Sequence, residues 1–152
     1  MSGELKVIKT KEQAGIAVRE KVKFADIGPA MSRMFGEVAG YMMSKGLPMM
    51  GAPFCYYYSW GEGEVDMEVG FPSSAHIKAD GRFHSFTLPA LKVAHLTHVG
   101  PYEKLMETYP MMEKQMKEKG LKGATHMWEI YISDPKTTKP EALITELYWP
   151  VD

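Results

Sequence analysis

The feature that most constrains this chain is an internal duplication. An alternating, strand-like segment at residues 14–22 (AGIAVREKV) leads to Gly28-Pro29, and a second one at residues 90–98 (ALKVAHLTH) leads to Gly100-Pro101. Proline suits the first turn of a helix, where its missing N–H would have no partner anyway. A helical pattern follows each pair. Residues 30–45 set Met31, Met34, Phe35, Val38 and Met42 at three- and four-residue spacing, and residues 102–119 do the same with Leu105, Tyr109, Met112 and Met116. Pro110 lies inside the second pattern and predicts a kink or a broken turn. Both patterns stop at the same dipeptide, Gly46-Leu47 and Gly120-Leu121, because glycine past a helix end accepts the left-handed backbone of the cap.

Two strands then complete each copy. They are residues 54–60 and 64–71 in the first, and residues 126–133 and about 142–149 in the second. Each last strand carries a glutamate four positions before a proline, Glu68 before Pro72 and Glu146 before Pro150. A hairpin is expected around Ala79-Asp80-Gly81, in the segment 72–89 that joins the copies. This order predicts an α+β fold in a single domain, residues 1–152. It holds two β-α-β-β half-repeats, about 5–73 and 83–151, in a mostly antiparallel sheet with both helices on one face. A pseudo-two-fold axis relates the copies, and a ligand cleft is expected on it, since clefts form where structural units meet.

Charge and motifs exclude several classes. The chain has 18 basic and 19 acidic residues and no Lys/Arg run longer than two, so no nucleic-acid-binding patch is expected. No apolar stretch reaches membrane-spanning length, and residues 1–10 lack a secretory apolar region. Cys55 is the only cysteine, so no internal disulfide can form, and a cytoplasmic protein with an inert buried thiol is expected. His95 and His98, three apart on a strand, point to opposite faces, and no Cys/Asp cluster assists them, so neither metal nor other cofactor is predicted. Gly61-Glu62-Gly63-Glu64 is acidic and reads as a hairpin turn, not a phosphate cradle.

The candidate site lies on the penultimate strand. Strand alternation puts Met127, Glu129 and Tyr131 on one face and Trp128, Ile130 and Ile132 on the other. The second set reads as the core face beneath the helices, which leaves Met127, Glu129 and Tyr131 for a cavity or for solvent. Aligning Phe54 with Met127 across the repeat sets Tyr56 against Glu129 and Tyr58 against Tyr131. Phenols around one carboxylate suit a cationic aromatic ligand, with cation–π contacts contributing about 0.5–2 kcal/mol per ring. A buried carboxyl without such a ligand needs a proton, a tyrosine hydrogen bond or water. Glu146 and Tyr148 alternate on one face of the last strand. Glu68 is the counterpart of Glu146, but Asp66 and Glu64 share its face and point to a solvated edge. Trp60, Trp149 and Tyr102 are candidate rim aromatics, and the 13 methionines suit either core or an adaptable pocket.

The segments His98-Val99-Gly100-Pro101-Tyr102, Trp128 to Pro135 and Thr145 to Pro150 resemble the GyrI-like small-molecule-binding family. That family includes effector-binding domains of multidrug-responsive activators of the MerR and AraC types, and the resemblance spans about residues 5–151. It implies a cavity for lipophilic aromatic cations, with Glu129 at the position of the family's ligand-facing glutamate and Glu146 as a second acid. Regulatory relatives carry a DNA-binding domain before this module, and this sequence shows none. Aromatic or cationic small molecules are therefore the expected partners, rather than DNA or membrane; no protein partner is readable. Some stand-alone relatives resemble hydrolases that open cyclopropane rings, and Glu129 with Glu146 would then be the catalytic pair. A protein-docking role through the acidic turn Glu62–Asp66 is the third alternative.

Overall fold

The computed structural model describes residues 3–74 and 77–151. It divides into two compact units, one of Lys11–Ala90 and one of Leu91–Asp152 with the first ten residues. Each is an antiparallel four-stranded sheet carrying one helix, so the α+β class holds in both. In the first unit β2 (Gln13–Lys23) leads to α1 (Ile27–Ser44), and β3 (Phe54–Gly61), β4 (Glu64–Pro72) and β5 (His84–Leu88) follow. In the second, β1 (Lys6–Lys9) joins β6 (Lys92–Val99), α2 (Leu105–Glu118), β7 (Met127–Tyr131) and β8 (Ile144–Pro150). Strand β4 lies between β3 and β2, with β5 outside β2; likewise β8 lies between β7 and β6, with β1 outside β6.

The duplication extends to the ladder register. Gly15 pairs with Pro72 in one unit and Val93 with Pro150 in the other, the same pair displaced by 78 positions. His84 pairs with Ala17, and Lys6 pairs with His95, at the same displacement. The edge strands are therefore exchanged relative to the chain order. The strand preceding the first copy completes the second, and the strand preceding the second copy completes the first. Among the described residues no hairpin forms around Ala79-Asp80-Gly81. A turn closes there, with the Phe83 N–H on the Asp80 carbonyl, but the strand leaving it pairs with β2, not with the residues before the turn.

Both helices end alike. Gly46 and Gly120 have φ of 67° and 68°, and the N–H groups of Leu47 and Leu121 reach back to the carbonyls of Met42 and Met116 at 2.8 Å. Helix α1 buries Ala30, Met34, Val38 and Met42, and α2 buries Thr108, Met112 and Met116. A large apolar side chain so buried contributes roughly 1.5–3 kcal/mol. Pro110 does not break α2, which runs unbroken from Leu105 to Glu118. Glu62 and Gly63 both take positive φ in the β3–β4 turn, as a tight hairpin with native twist requires. Among the described residues no helix is long and apolar enough to cross a membrane.

Candidate ligand-binding site

Strand β7 pairs only with β8 within its unit, and this register decides which way its side chains face. Glu129 is opposite Leu147, and Tyr131 is opposite Thr145, so all four lie on one face together with Leu96 and His98 of β6. That face carries α2: Thr108 bonds to His98 at 2.7 Å, and Tyr109 reaches Glu129. The expected assignment is thus reversed. Met127, Glu129 and Tyr131 lie beneath the helix, while Trp128 and Ile130 occupy the other face and Ile132 is half exposed.

Glu129 is 3% exposed. The Tyr109 hydroxyl donates to its Oε2 and the Tyr131 hydroxyl to its Oε1. The tyrosine hydrogen bonds that a buried carboxyl demands are therefore present, and one comes from a residue not foreseen as a partner. Tyr109 stands three residues before Met112 and one after Thr108, both buried, so its helical phase already aimed it at the sheet. Further rings close around these groups. Tyr102 meets Tyr131 edge-on at 5.8 Å and Tyr109 meets Trp149 edge-on at 6.5 Å, while the Trp149 indole N–H is held by the Ala124 carbonyl at 2.9 Å. Burial, then the charges of Asp134 and Glu129, raises the Tyr102 phenol above its ordinary pKa. Met127 is buried on the same face.

The opposite face of this sheet holds a second group. Trp128 stacks on Tyr148 at 5.6 Å, His95 lies 4.9 Å from Tyr148, and His95 Nε2 meets Glu146 Oε2 at 2.9 Å. Burial first, and Glu146 second, raises the Tyr148 phenol. Glu146 stands opposite Ile130 and Thr97, so it projects away from Glu129 through the sheet. The structure does not bring Glu129 and Glu146 together as a catalytic pair.

Tyr56, Tyr58 and Glu68 belong to the other unit, on the face away from α1. Glu68 is 2% exposed and is not at a solvated edge: the Tyr58 hydroxyl donates to its Oε1 at 2.5 Å, and His84 Nε2 meets its Oε2. A bulge leaves Tyr58 unpaired between Tyr57 and Ser59. Ser59 thereby takes the place opposite Asp66, and the Tyr58 ring stays beside Glu68. Arg19 forks onto Asp66 at 2.8 and 2.9 Å and lies 3.7 Å over the Tyr58 ring. Tyr56 is tilted against Tyr58 at 4.9 Å, and burial pushes its phenol up to about 12. Trp60 is 39% exposed at the hairpin end, bordering a hollow of about 320 Å³ with Lys21, Glu64 and Asp66. A hollow of about 340 Å³ lies between Tyr41, Lys45, Leu47 and Asp80. Among the described residues no group of three or more His, Cys, Asp or Glu is placed to hold a metal ion.

Each unit repeats one α+β plan, and Glu129 is a buried carboxyl held by two phenols, one of which meets an indole ring. The chain belongs to the family of GyrI-like small molecule binding domains, whose model matches residues 4–152. Among solved structures it is similar to the EcmrR C-terminal domain (19% identity, TM-score 0.83, covering 98% of this chain and 97% of that one). In the EcmrR–DNA complex the same likeness (18% identity, TM-score 0.85) takes in 98% of this chain but 57% of the longer one. SAV2435 bound to tetraphenylphosphonium is similar at 13% identity and TM-score 0.70, over 99% of this chain and 94% of that one. A hydrolase from Listeria innocua is similar at 17% identity and TM-score 0.68, over 98% and 92%. No curated protein matches the chain.

Proposed function

We propose that this domain captures lipophilic aromatic cations at the Glu129 cluster, as a sequestering or sensing module for drugs or toxins of that kind. The observation that carries the reading is the buried Glu129 carboxyl held by the Tyr109 and Tyr131 hydroxyls, with Tyr102 and Trp149 as flanking rings. An entering cation gains the carboxylate charge and the faces of the rings, both strengthened where water is excluded. Met127 and the methionines of α2 adapt their shape at little cost, which broadens selectivity. That a structurally similar protein binds tetraphenylphosphonium supports this choice of ligand class. The separation of Glu129 from Glu146 speaks against the two-carboxylate hydrolase.

Titration with tetraphenylphosphonium tests the reading. The isosteric Glu129→Gln keeps the packing and removes the charge, and the expected outcome is a Kd at least about tenfold weaker, or about 1.4 kcal/mol. Wild-type affinity in a folded Glu129→Gln protein overturns it.

A further inference from the structure

The unit formed by Lys11–Ala90 contains an arrangement that ligand capture at Glu129 does not use. We propose that His84, oriented by the buried Glu68, is a general base that hydrolyses neutral aryl esters on the face of β2, β4 and β5 away from α1.

The placement follows from the ladder. His84 on β5 stands opposite Ala17 on β2, and Arg19, two residues along β2, stands opposite Glu68 on β4. Because Ala17 offers only a methyl group, the imidazole passes over β2 and meets Glu68 Oε2 through Nε2. Glu68 is 2% exposed, whereas the His84 side chain is 46% exposed. A carboxylate fixed in the interior thus orients a half-exposed ring whose other nitrogen, Nδ1, has no hydrogen-bond partner among the described residues. That is the orienter–base relation of hydrolytic sites. The second unit lacks this geometry, since Lys6 occupies the place of His84 and the histidine on Glu146 is His95, with 18% side-chain exposure and a Tyr148 ring against it.

The surroundings define the substrate class. Phe86 lies two residues from His84 on the same face and meets Tyr56 edge-on at 5.6 Å, which gives an aromatic group a surface to rest on. Arg19, on the same face, uses Nε and Nη2 on Asp66, and in this proposal its Nη1 is the donor to a developing oxyanion. In the step, His84 Nδ1 takes a proton from water as the water oxygen bonds to the ester carbonyl carbon and the carbonyl π pair moves onto oxygen. Collapse of that intermediate breaks the bond to the aryl oxygen, and the departing aryloxide recovers the proton from His84. Ester and water give acid and phenol, with no other reactant.

The test uses the full chain and p-nitrophenyl acetate as the probe. The rate is expected to exceed that of equimolar free imidazole and to be slower in D2O. His84→Gln, at an exposed position, is expected to lower kcat/KM by about 10²-fold. Glu68→Gln is expected to lower it at least about tenfold; a melting curve on each variant establishes that it is folded. Equal rates for wild type and folded His84→Gln, or the absence of a solvent isotope effect, overturn the proposal. None of these groups belongs to the Glu129 cluster, so tetraphenylphosphonium titration on the same samples reports separately on cation capture.

Discussion

In the unit formed by Lys11–Ala90, the buried carboxyl of β4, Glu68, meets an imidazole from the edge strand. In the other unit its counterpart Glu146 meets one from the inner strand, and a further carboxyl, Glu129, is held by phenols under the helix. The ladder positions are the same; the side chains at them are not. Ala17 occupies one place and His95 the equivalent one, Gly70 stands where the other unit has Tyr148, and Glu20 where it has His98. Duplication copied the backbone pairing, and the chemistry diverged at the positions where one copy kept a small residue and the other filled the space.

The sharpest way to break this comparison is at Gly70. A Cβ there would stand 2.1 Å from the Ile16 carbonyl and 2.9 Å from Ala17 Cβ, so backbone must move. Gly70→Ala is expected to cost roughly 3–5 kcal/mol, read by denaturant unfolding, although the equivalent position in the other unit accepts a tyrosine. A cost below about 1 kcal/mol would mean that the two ladders are more alike than their side chains indicate. Next come the phenols. Tyr109→Phe removes a donor from a carboxyl wholly under α2 and is expected to cost about 1–3 kcal/mol. Tyr58→Phe is expected to cost less, because Glu68 keeps the half-exposed His84 beside it while Glu129 keeps only the buried Tyr131; thermal melts of the pair check that order. The smallest effect concerns the sheet–helix contact. Hydrogen bonds from Arg33 foremost, aided by Arg82, lower the Glu20 carboxyl to about 2, while His98 in the other unit turns to Thr108. A depressed carboxyl stabilises fully above its ordinary value near 4.5, and that contribution disappears as pH falls towards 2. Glu20→Gln is therefore expected to cost about 1 kcal/mol at neutral pH, in keeping with a partly exposed ion-pair network. The cost should vanish in melts below pH 2.

Much of the fold was legible because the helices and inner strands carry it in local apolar periods. The matched glycines, Gly46 and Gly120, placed both helix ends. Matching residues 14–22 to 90–98 slips two positions from the true register, which leaves every side chain on its proper face. Matching Phe54 to Met127 slips one, and a single-residue slip turns the whole strand over. Glu68 opposes Tyr56 and Glu146 opposes Ile130, so Phe54 corresponds to Trp128 and Cys55 to Glu129. That odd step is why Tyr56 and Tyr58 appeared to share a wall with Glu129. The edge strands were illegible for a different reason. β1 is exposed throughout, and both edges take partners far along the chain, which no local pattern encodes. His84 was illegible because a carboxylate partner from another strand leaves no sequence spacing to find.

The traded edge strands bear on how such a chain could have arisen. A lone ancestral copy, one leading strand followed by β-α-β-β, could not have completed its own sheet in this register, since its first strand completes its sibling's. Two identical chains would each have lent the other that strand, and fusing the genes end to end would have turned a mutual loan between molecules into a property of one.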